Sequence, residues 1–156
     1  MKIVFLFGEI CSGKSTYDFG QQSMRITVSN IVKRLMQSED REVLQNSKHL
    51  DGTIVDEILK EITSLFDHPQ PLPHTIIIDG IRQYSIVQQL ERYIGRGFLD
   101  VELEYKWLEV DSVERKRRFE ARKDPKDTLT FEEAEKRDNT LGLSDLFRIL
   151  KEQNKI

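Results

Sequence analysis

The feature that most constrains this chain is an apolar segment that runs directly into a glycine-rich loop. Residues 2–7 read KIVFLF, and residues 8–15 read GEICSGKS, which fits the pattern G-x-x-x-x-G-K-S. A buried strand entering such a loop is the setting in which backbone N–H groups surround a phosphate chain. The sequence therefore predicts an α/β fold with a phosphate-binding site at the carboxyl end of its first strand.

Each residue type in this motif has a chemical task. The glycines let the backbone approach the phosphates closely. Lys14 can reach the β- and γ-phosphates of ATP, and the Ser15 hydroxyl can hold Mg²⁺. A helix predicted from Ser15 to about Gln22 would add the partial positive charge of its N-terminus. The predicted nucleotide contacts are Gly8, Glu9, Ile10, Cys11, Ser12, Gly13, Lys14, Ser15 and Thr16.

Length and composition favour one compact domain spanning residues 1–156. The net charge of −3 gives no general attraction to nucleic acid or to membranes, so any affinity for anions must come from local clusters. A single cysteine excludes an internal disulfide, and no segment has the length of a signal peptide or membrane span. We therefore expect a cytoplasmic protein with no membrane partner.

The spacing of apolar residues predicts strands that alternate with helices, which indicates βαβ crossovers and a parallel sheet. The predicted strands are Ile3–Phe7, Met24–Val28, Thr75–Gly80 and Tyr105–Val110, the last extended back toward Val101. Predicted helices begin at Ser29 or Asn30, at Asp51, Tyr84, Asp111 and Thr130, and at Ser144. Two capping pairs are expected, Thr53 with Asp56 and Thr130 with Glu133, and Gly95 is expected to end the Tyr84 helix. Trp107 and the other strand aromatics are expected in the core rather than as a platform for a nucleobase.

A carboxylate follows the second strong strand. Asp79 directly follows the strand residues 75–78, TIII, and is expected at the edge of the sheet where ligands bind in open α/β folds. It could hold Mg²⁺ or accept a proton from an acceptor hydroxyl, although an Asp followed by Gly80 is also typical of a plain turn. Arg82 and Gln83, just beyond, suit a phosphate and a hydroxyl or base edge, and are predicted to bind the acceptor.

The densest basic run predicts a lid over the site. In a helix, Arg115, Arg118 and Arg122 fall on one face, and cations there would neutralise charge on a transferring phosphoryl group. The segment of about 112–130 is therefore predicted to be the lid, with Arg118 and Arg122 acting in catalysis and Arg118 also contacting ATP. The alternative is an ordinary solvated helix, because Glu114 and Glu120 lie nearby.

A second basic group lies in the segment of about 29–66, which we expect to hold the acceptor. Lys33, Arg34 and Arg41 are its candidate residues. Exposed helix charges are an equally good interpretation of all three.

Together these motifs resemble the nucleoside monophosphate kinase superfamily of P-loop kinases over most of the chain. Gly8–Thr16 resembles the phosphate loop, and residues 28–33 (VSNIVK) resemble a segment that ends in a phosphate-binding basic residue. DGIRQ at 79–83 is similar to the Asp-Gly-x-x-Arg element, with the arginine one place early. Residues 131–143, with Arg137-Asp138, are similar to the tail of dephospho-coenzyme-A-kinase-like proteins. The resemblance implies a three-layer P-loop kinase fold with a short parallel sheet, helices on both faces and a basic lid, using ATP and Mg²⁺.

A narrower resemblance concerns the acceptor. FGEICSGKSTY at 7–17 and DGIRQ at 79–83 resemble bacteriophage enzymes that phosphorylate hydroxymethyluracil within DNA. This resemblance implies modified DNA as the acceptor, Asp79 as general base, and the host cytoplasm as the location. A free nucleoside monophosphate or a dephospho-coenzyme-A-like acceptor is the alternative, and a regulatory NTPase is a further one. The adenine-contacting loop that such kinases carry after a final strand is missing, so the residues that bind the base stay unassigned.

Overall fold

The computed structural model describes residues 1–37, 47–68, 71–97, 100–122 and 128–156. Within these ranges it contains four strands and six α-helices. The strands are β1 (Lys2–Gly8), β2 (Ser23–Thr27), β3 (Thr75–Asp79) and β4 (Glu102–Leu108). The helices are α1 (Val28–Met36), α2 (Asp51–Phe66), α3 (Tyr84–Gly97), α4 (Ser112–Arg122), α5 (Phe131–Leu141) and α6 (Leu143–Glu152). Short 3₁₀ helices occupy Lys14–Thr16 and Ser47–Leu50.

The four strands form one parallel sheet in the order β2-β3-β1-β4. Leu6 of β1 lies opposite Asp79 of β3, and Gly8 lies opposite Leu108 of β4. Because parallel strands end at the same edge of a sheet, the loop after β1 and the carboxylate of Asp79 meet there. This placement confirms the predicted parallel sheet, in which β3 and β1 are the two internal strands.

The central strands are buried on both faces, as parallel strands in α/β proteins are. Ile3, Phe5 and Phe7 of β1 belong to the main core, to which α1, α2, α3 and α6 contribute. Val4 and Leu6, on the opposite face, are also fully buried. The arrangement is compatible with a three-layer α/β fold.

A second, smaller core lies beside the glycine-rich loop. Phe119 of α4 packs edge-on against Phe131 of α5, with ring centroids 5.8 Å apart. Ile10 and Cys11 of the loop pack against this cluster. The basic helix α4 is therefore attached to the loop by apolar contacts.

Of the local predictions on helix ends, one is confirmed and two are wrong. The Thr130 cap exists, because Glu133 N donates to Thr130 Oγ1 at 3.2 Å and Thr130 N donates to Glu133 Oε2 at 2.9 Å. The Thr53–Asp56 cap is wrong, since α2 already begins at Asp51 without a side-chain cap. Gly95 does not end α3, which continues to Gly97 because one glycine costs a helix only about 1 kcal/mol.

The predicted helix from Ser15 to Gln22 is also wrong. Only the 3₁₀ turn Lys14–Thr16 forms, and the backbone is extended at Tyr17. The Asp18 side chain then accepts a hydrogen bond from Gly20 N at 2.8 Å, and Gly20 adopts a φ of 96°. Such local side-chain bonds compete with helix formation, so the loop lacks the α-helical N-terminus that the sequence predicted.

Among the described helices, none combines the length and the apolar character that crossing a membrane requires.

Candidate phosphate-binding site

The shape of the loop depends on glycine at two positions. A Cβ atom at Gly8 would lie 2.4 Å from Ser12 Oγ and 3.2 Å from the Leu108 carbonyl oxygen. Gly13 has a φ of 92°, in the left-handed region that other residues rarely adopt. The two glycines of the motif are therefore required by close approach and by backbone conformation respectively.

Lys14 directs its ammonium group into the loop. Nζ donates to the carbonyl oxygens of Gly8 at 2.7 Å and Glu9 at 2.8 Å, and lies 3.3 Å from Ser12 Oγ. Burial, helped by the positive charge of Arg82, lowers the pKa of Lys14 to about 8. A phosphate beside Nζ would favour the protonated form, because the anion supplies the charge that burial removes.

Arg25 of β2 joins the loop to Asp79, and the sequence analysis did not single it out. Its Nη1 donates to Asp79 Oδ2 at 2.5 Å and to the Lys14 carbonyl oxygen at 2.7 Å. Its Nη2 donates to the Tyr17 carbonyl oxygen at 2.6 Å. Arg25 thus satisfies the carbonyls of the short 3₁₀ turn and holds a carboxylate whose side chain is only 6% exposed.

The loop and Asp79 line one pocket of about 280 Å³. Besides the loop, the described lining includes five basic and two acidic side chains, which are Lys14, Arg25, Arg82, Arg122 and Arg137 against Asp79 and Asp138. This excess of positive charge, drawn from the loop after β1, from β2 and from three later segments, suits a polyanion such as a triphosphate.

Asp138 of α5 is a second buried carboxylate in this pocket, with a side chain 6% exposed. Arg82 Nε lies 2.9 Å from its Oδ1, yet that oxygen accepts no aligned hydrogen bond from the described residues. The signal for its burial was present in the sequence, since Phe131, Ala134 and Asp138 recur at helical spacing and are all buried.

The three arginines of α4 have different surroundings. Arg115 is buried, with Nη2 2.7 Å from Glu135 Oε1 and 3.0 Å from Glu9 Oε2, and with Nε donating to the Val110 carbonyl oxygen. Arg115 therefore anchors α4 to its neighbours. The expectation that it forms part of the lid surface is wrong, because Arg115 is buried and its Nε and Nη2 donors are used inside the fold.

Arg118 contacts the loop without belonging to the described pocket lining, whereas Arg122 does belong to it; their roles in catalysis stay predictions. Arg118 Nη1 donates to the Cys11 carbonyl oxygen at 3.2 Å, and Arg122 lines the pocket. Glu114 receives hydrogen bonds from Arg117 and Arg118, which lower its pKa to about 2. The predicted lid continues to residue 130, and its residues 123–127 lie outside the described part of the chain.

The predicted acceptor residues are only partly brought together. Arg82 lines the pocket, whereas Lys33 and Gln83 do not belong to its described lining. Arg34 is 58% exposed and lies 3.4 Å from Glu57 and 3.5 Å from Glu61, on the surface between α1 and α2. Arg41 lies outside the described residues.

Two other predicted nucleotide contacts, Glu9 and Thr16, also lie outside the described pocket lining. Thr27, Ser29 and Gly80 are present in it instead. The sequence did not single out Thr27 or Ser29, because small polar residues at a strand end carry no distinctive signal.

Ser15 and Asp79 fit the predicted Mg²⁺ site by their chemistry. Both line the pocket and both offer oxygen atoms, the ligands that Mg²⁺ prefers. Arg25 engages Oδ2 of Asp79, and among the described residues no hydrogen bond uses Asp79 Oδ1 or the Ser15 hydroxyl. One carboxylate oxygen and one hydroxyl are therefore available to the ion or to its bound water.

Comparison with protein-family models and with curated proteins returns no match for this chain. Its function has to be inferred from these residues and their geometry.

Proposed function

We propose that this protein is an ATP-dependent phosphotransferase that moves the γ-phosphate of ATP to a nucleotide-type acceptor. The observation that carries the proposal is the single pocket in which the loop 8–15, Asp79 and basic side chains from separate elements converge. Phosphoryl transfer requires mainly positioning and neutralisation of charge, and this pocket supplies cations on several sides.

In this proposal the loop and Lys14 hold the β- and γ-phosphates, while Arg118 and Arg122 approach from α4. Mg²⁺ held by Ser15 and Asp79 would neutralise charge on the same phosphates. The acceptor hydroxyl oxygen attacks the γ-phosphorus, the bond to the β–γ bridging oxygen breaks, and ADP leaves. The hydroxyl proton passes to a pocket carboxylate.

Two carboxylates can take that proton. Asp79 is the candidate that the sequence suggested, and Arg25 fixes its position at 2.5 Å. Asp138 is the candidate that the geometry adds, because its buried Oδ1 accepts no aligned hydrogen bond from the described residues. We expect Asp138→Asn to lower kcat with little change in the affinity for ATP if Asp138 is the base.

The acceptor that we favour is the hydroxymethyl group of hydroxymethyluracil in DNA, on the resemblance of residues 7–17 and 79–83. A free nucleoside monophosphate or dephospho-coenzyme A is the alternative acceptor for the same pocket. The two kinds of acceptor differ in how their affinity depends on salt. Affinity for DNA should fall steeply as salt rises, because each contact to a backbone phosphate adds to the salt dependence.

The test is transfer of label from γ-labelled ATP with Mg²⁺ to three acceptors: hydroxymethyluracil DNA, matched unmodified DNA, and a panel of monophosphates with dephospho-coenzyme A. Label in modified DNA alone supports the favoured acceptor, and label in a monophosphate supports the alternative. Free phosphate without a labelled acceptor would point to an NTPase and contradict the proposal.

Two lysine variants provide the control. Lys14→Ala should lower transfer at least about a hundredfold, because a preorganised positive charge at the phosphates is lost. Lys60→Ala should leave it unchanged, since Lys60 is 73% exposed on α2 and pairs with Glu57. Equal activity of both variants would refute the role of the loop.

A further inference from the structure

A groove lies beyond the carboxyl end of β4, on the side of the loop away from β3. We call it the β4 groove; it has a volume of about 600 Å³, and its described lining includes Trp107, Glu109, Asp111, Asn139, Leu143 and Phe147. The α5–α6 junction forms one wall. Asn139 lies in the last turn of α5, Gly142 caps that helix, and α6 begins at Leu143.

The β4 groove lies next to the phosphate pocket. Leu143 lines both, and Gly8 lines the pocket while the adjacent Glu9 lines the groove. The Leu108 carbonyl oxygen lies only 3.2 Å from where a Cβ of Gly8 would be, so the loop begins against the end of β4. A ligand whose phosphates rest on the loop therefore has the groove as its immediate neighbour.

The groove supplies the aromatic surface that the phosphate pocket lacks. The described lining of the pocket includes no aromatic side chain. In the groove, Trp107 is stacked on Phe7 at a centroid distance of 6.1 Å and meets Phe147 edge-on at 4.8 Å. Trp107 and Phe147 are only partly buried, so the expectation that Trp107 is simply a core residue is incomplete. A heterocyclic base finds stacking partners here and not in the pocket.

The charges of the groove also differ from those of the pocket. Its described lining contains the carboxylates of Glu9, Glu109 and Asp111 and no basic side chain. Such a surface disfavours phosphates and favours groups with N–H and O–H donors, such as a base amino group or ribose hydroxyls. The Asn139 amide adds a donor and an acceptor at the same wall.

We infer that the β4 groove binds the base and ribose of the donor nucleotide, whose triphosphate rests on the loop. This inference rests on the proposed function. It assigns the base-binding residues, which the sequence analysis left unassigned. It also places the acceptor on the opposite side of the loop, where Thr27, Ser29 and Arg82 line the pocket.

Trp107 makes a direct test available, because it is the only tryptophan of the chain. Binding of ATP and of inorganic triphosphate to the full chain would be measured by titration calorimetry and by tryptophan emission. We expect both ligands to bind, ATP about tenfold or more tightly, since base–aromatic stacking is worth about that factor. Only ATP should change the emission of Trp107.

Two variants and a control locate the effect. Asn139→Ala and Phe147→Leu should weaken ATP severalfold and leave the affinity for inorganic triphosphate unchanged. Arg148→Ala, an exposed position on α6 that pairs with Glu152 at 3.0 Å, should change neither affinity. Thermal melts of all three would establish that they are folded.

The outcomes separate the two proposals. If ATP and triphosphate bind equally and Trp107 emission does not respond, the groove assignment is overturned while the phosphate site stands. If a nucleoside monophosphate changes the emission and ATP does not, the groove binds the acceptor and the assignment is again overturned. If neither ATP nor triphosphate binds, both proposals fail.

Discussion

Removal of the Arg25 side chain is the perturbation whose effect the structure defines most sharply. In Arg25→Ala the Asp79 carboxylate, 6% exposed, loses a partner at 2.5 Å. The carbonyl oxygens of Lys14 and Tyr17 lose their donors at the same time. Removing one partner of a buried ion pair costs about 3–5 kcal/mol. Because Arg25 is itself 26% exposed, water can reach part of this site, and we expect the lower end, about 3 kcal/mol.

A double-mutant cycle tests the cause of that loss. Asp79→Asn removes the charge but keeps an oxygen that can accept from Arg25, so it should cost about 1–2 kcal/mol. In the double variant no unpaired charge is left buried. The double variant should therefore lose less free energy of unfolding than the two single variants lose together, by about 1.5 kcal/mol or more.

The assay is urea unfolding monitored by Trp107 emission, and the m value should be the same in all variants. Arg34→Ala is the matched control, because this arginine is ion-paired too, with Glu57 and Glu61, but is 58% exposed; it should change stability by less than about 0.5 kcal/mol. The reasoning is refuted if Arg25→Ala costs no more than Arg34→Ala, or if the two single effects add within about 0.5 kcal/mol.

Three further predictions concern the loop and a helix cap. Binding of inorganic triphosphate at pH 8.5 should be accompanied by proton uptake at Lys14, because burial lowers the pKa of this lysine to about 8 in the free protein and phosphate favours its protonated form. Affinity should accordingly fall as pH rises above 8; calorimetry in two buffers measures the uptake, and none would refute the assignment. Gly8→Ala should weaken triphosphate binding at least about tenfold, since its Cβ would meet Ser12 Oγ at 2.4 Å, whereas Gly52→Ala, with open space around it, should bind normally. Thr130→Ala should lower the free energy of unfolding by about 1 kcal/mol in urea, and no change would contradict the cap.

The sheet and the phosphate loop could be predicted because their signals are local. The unbroken apolar run of Ile3–Phe7 and the β-branched Thr75–Ile78 identify buried parallel strands, and the loop motif lies directly after the first. The Thr130 cap was equally predictable, because both of its partners lie within four residues.

The parts that escaped prediction depend on partners distant in sequence. Arg25 and Asp79 are 54 residues apart, and only the pairing of β2 with β3 brings them together. Arg25 also contributes to the missing helix after the loop, because it takes the Lys14 and Tyr17 carbonyls that a helix would use, in addition to the local bond from Gly20 N to Asp18. Helical spacing placed Arg115 on the same face as Arg118 but could not predict that Arg115 is buried. Its burial depends on Glu9 and Glu135, which are remote in sequence.

The pairing of β1 also has a consequence for how the chain folds. Both partners of β1 are remote, with Lys2 opposite Thr75 and Gly8 opposite Leu108, so the central strand cannot complete its hydrogen bonds until 100 further residues exist. At a synthesis rate of about 5–20 residues per second, that interval is roughly 5–20 s. During it the segment Ile3–Phe7 is an apolar, strand-forming stretch without its neighbours, which is the kind of segment that aggregates. Yield at high expression rates should therefore be governed by the time that β3 and β4 take to emerge, more than by the stability of the finished fold.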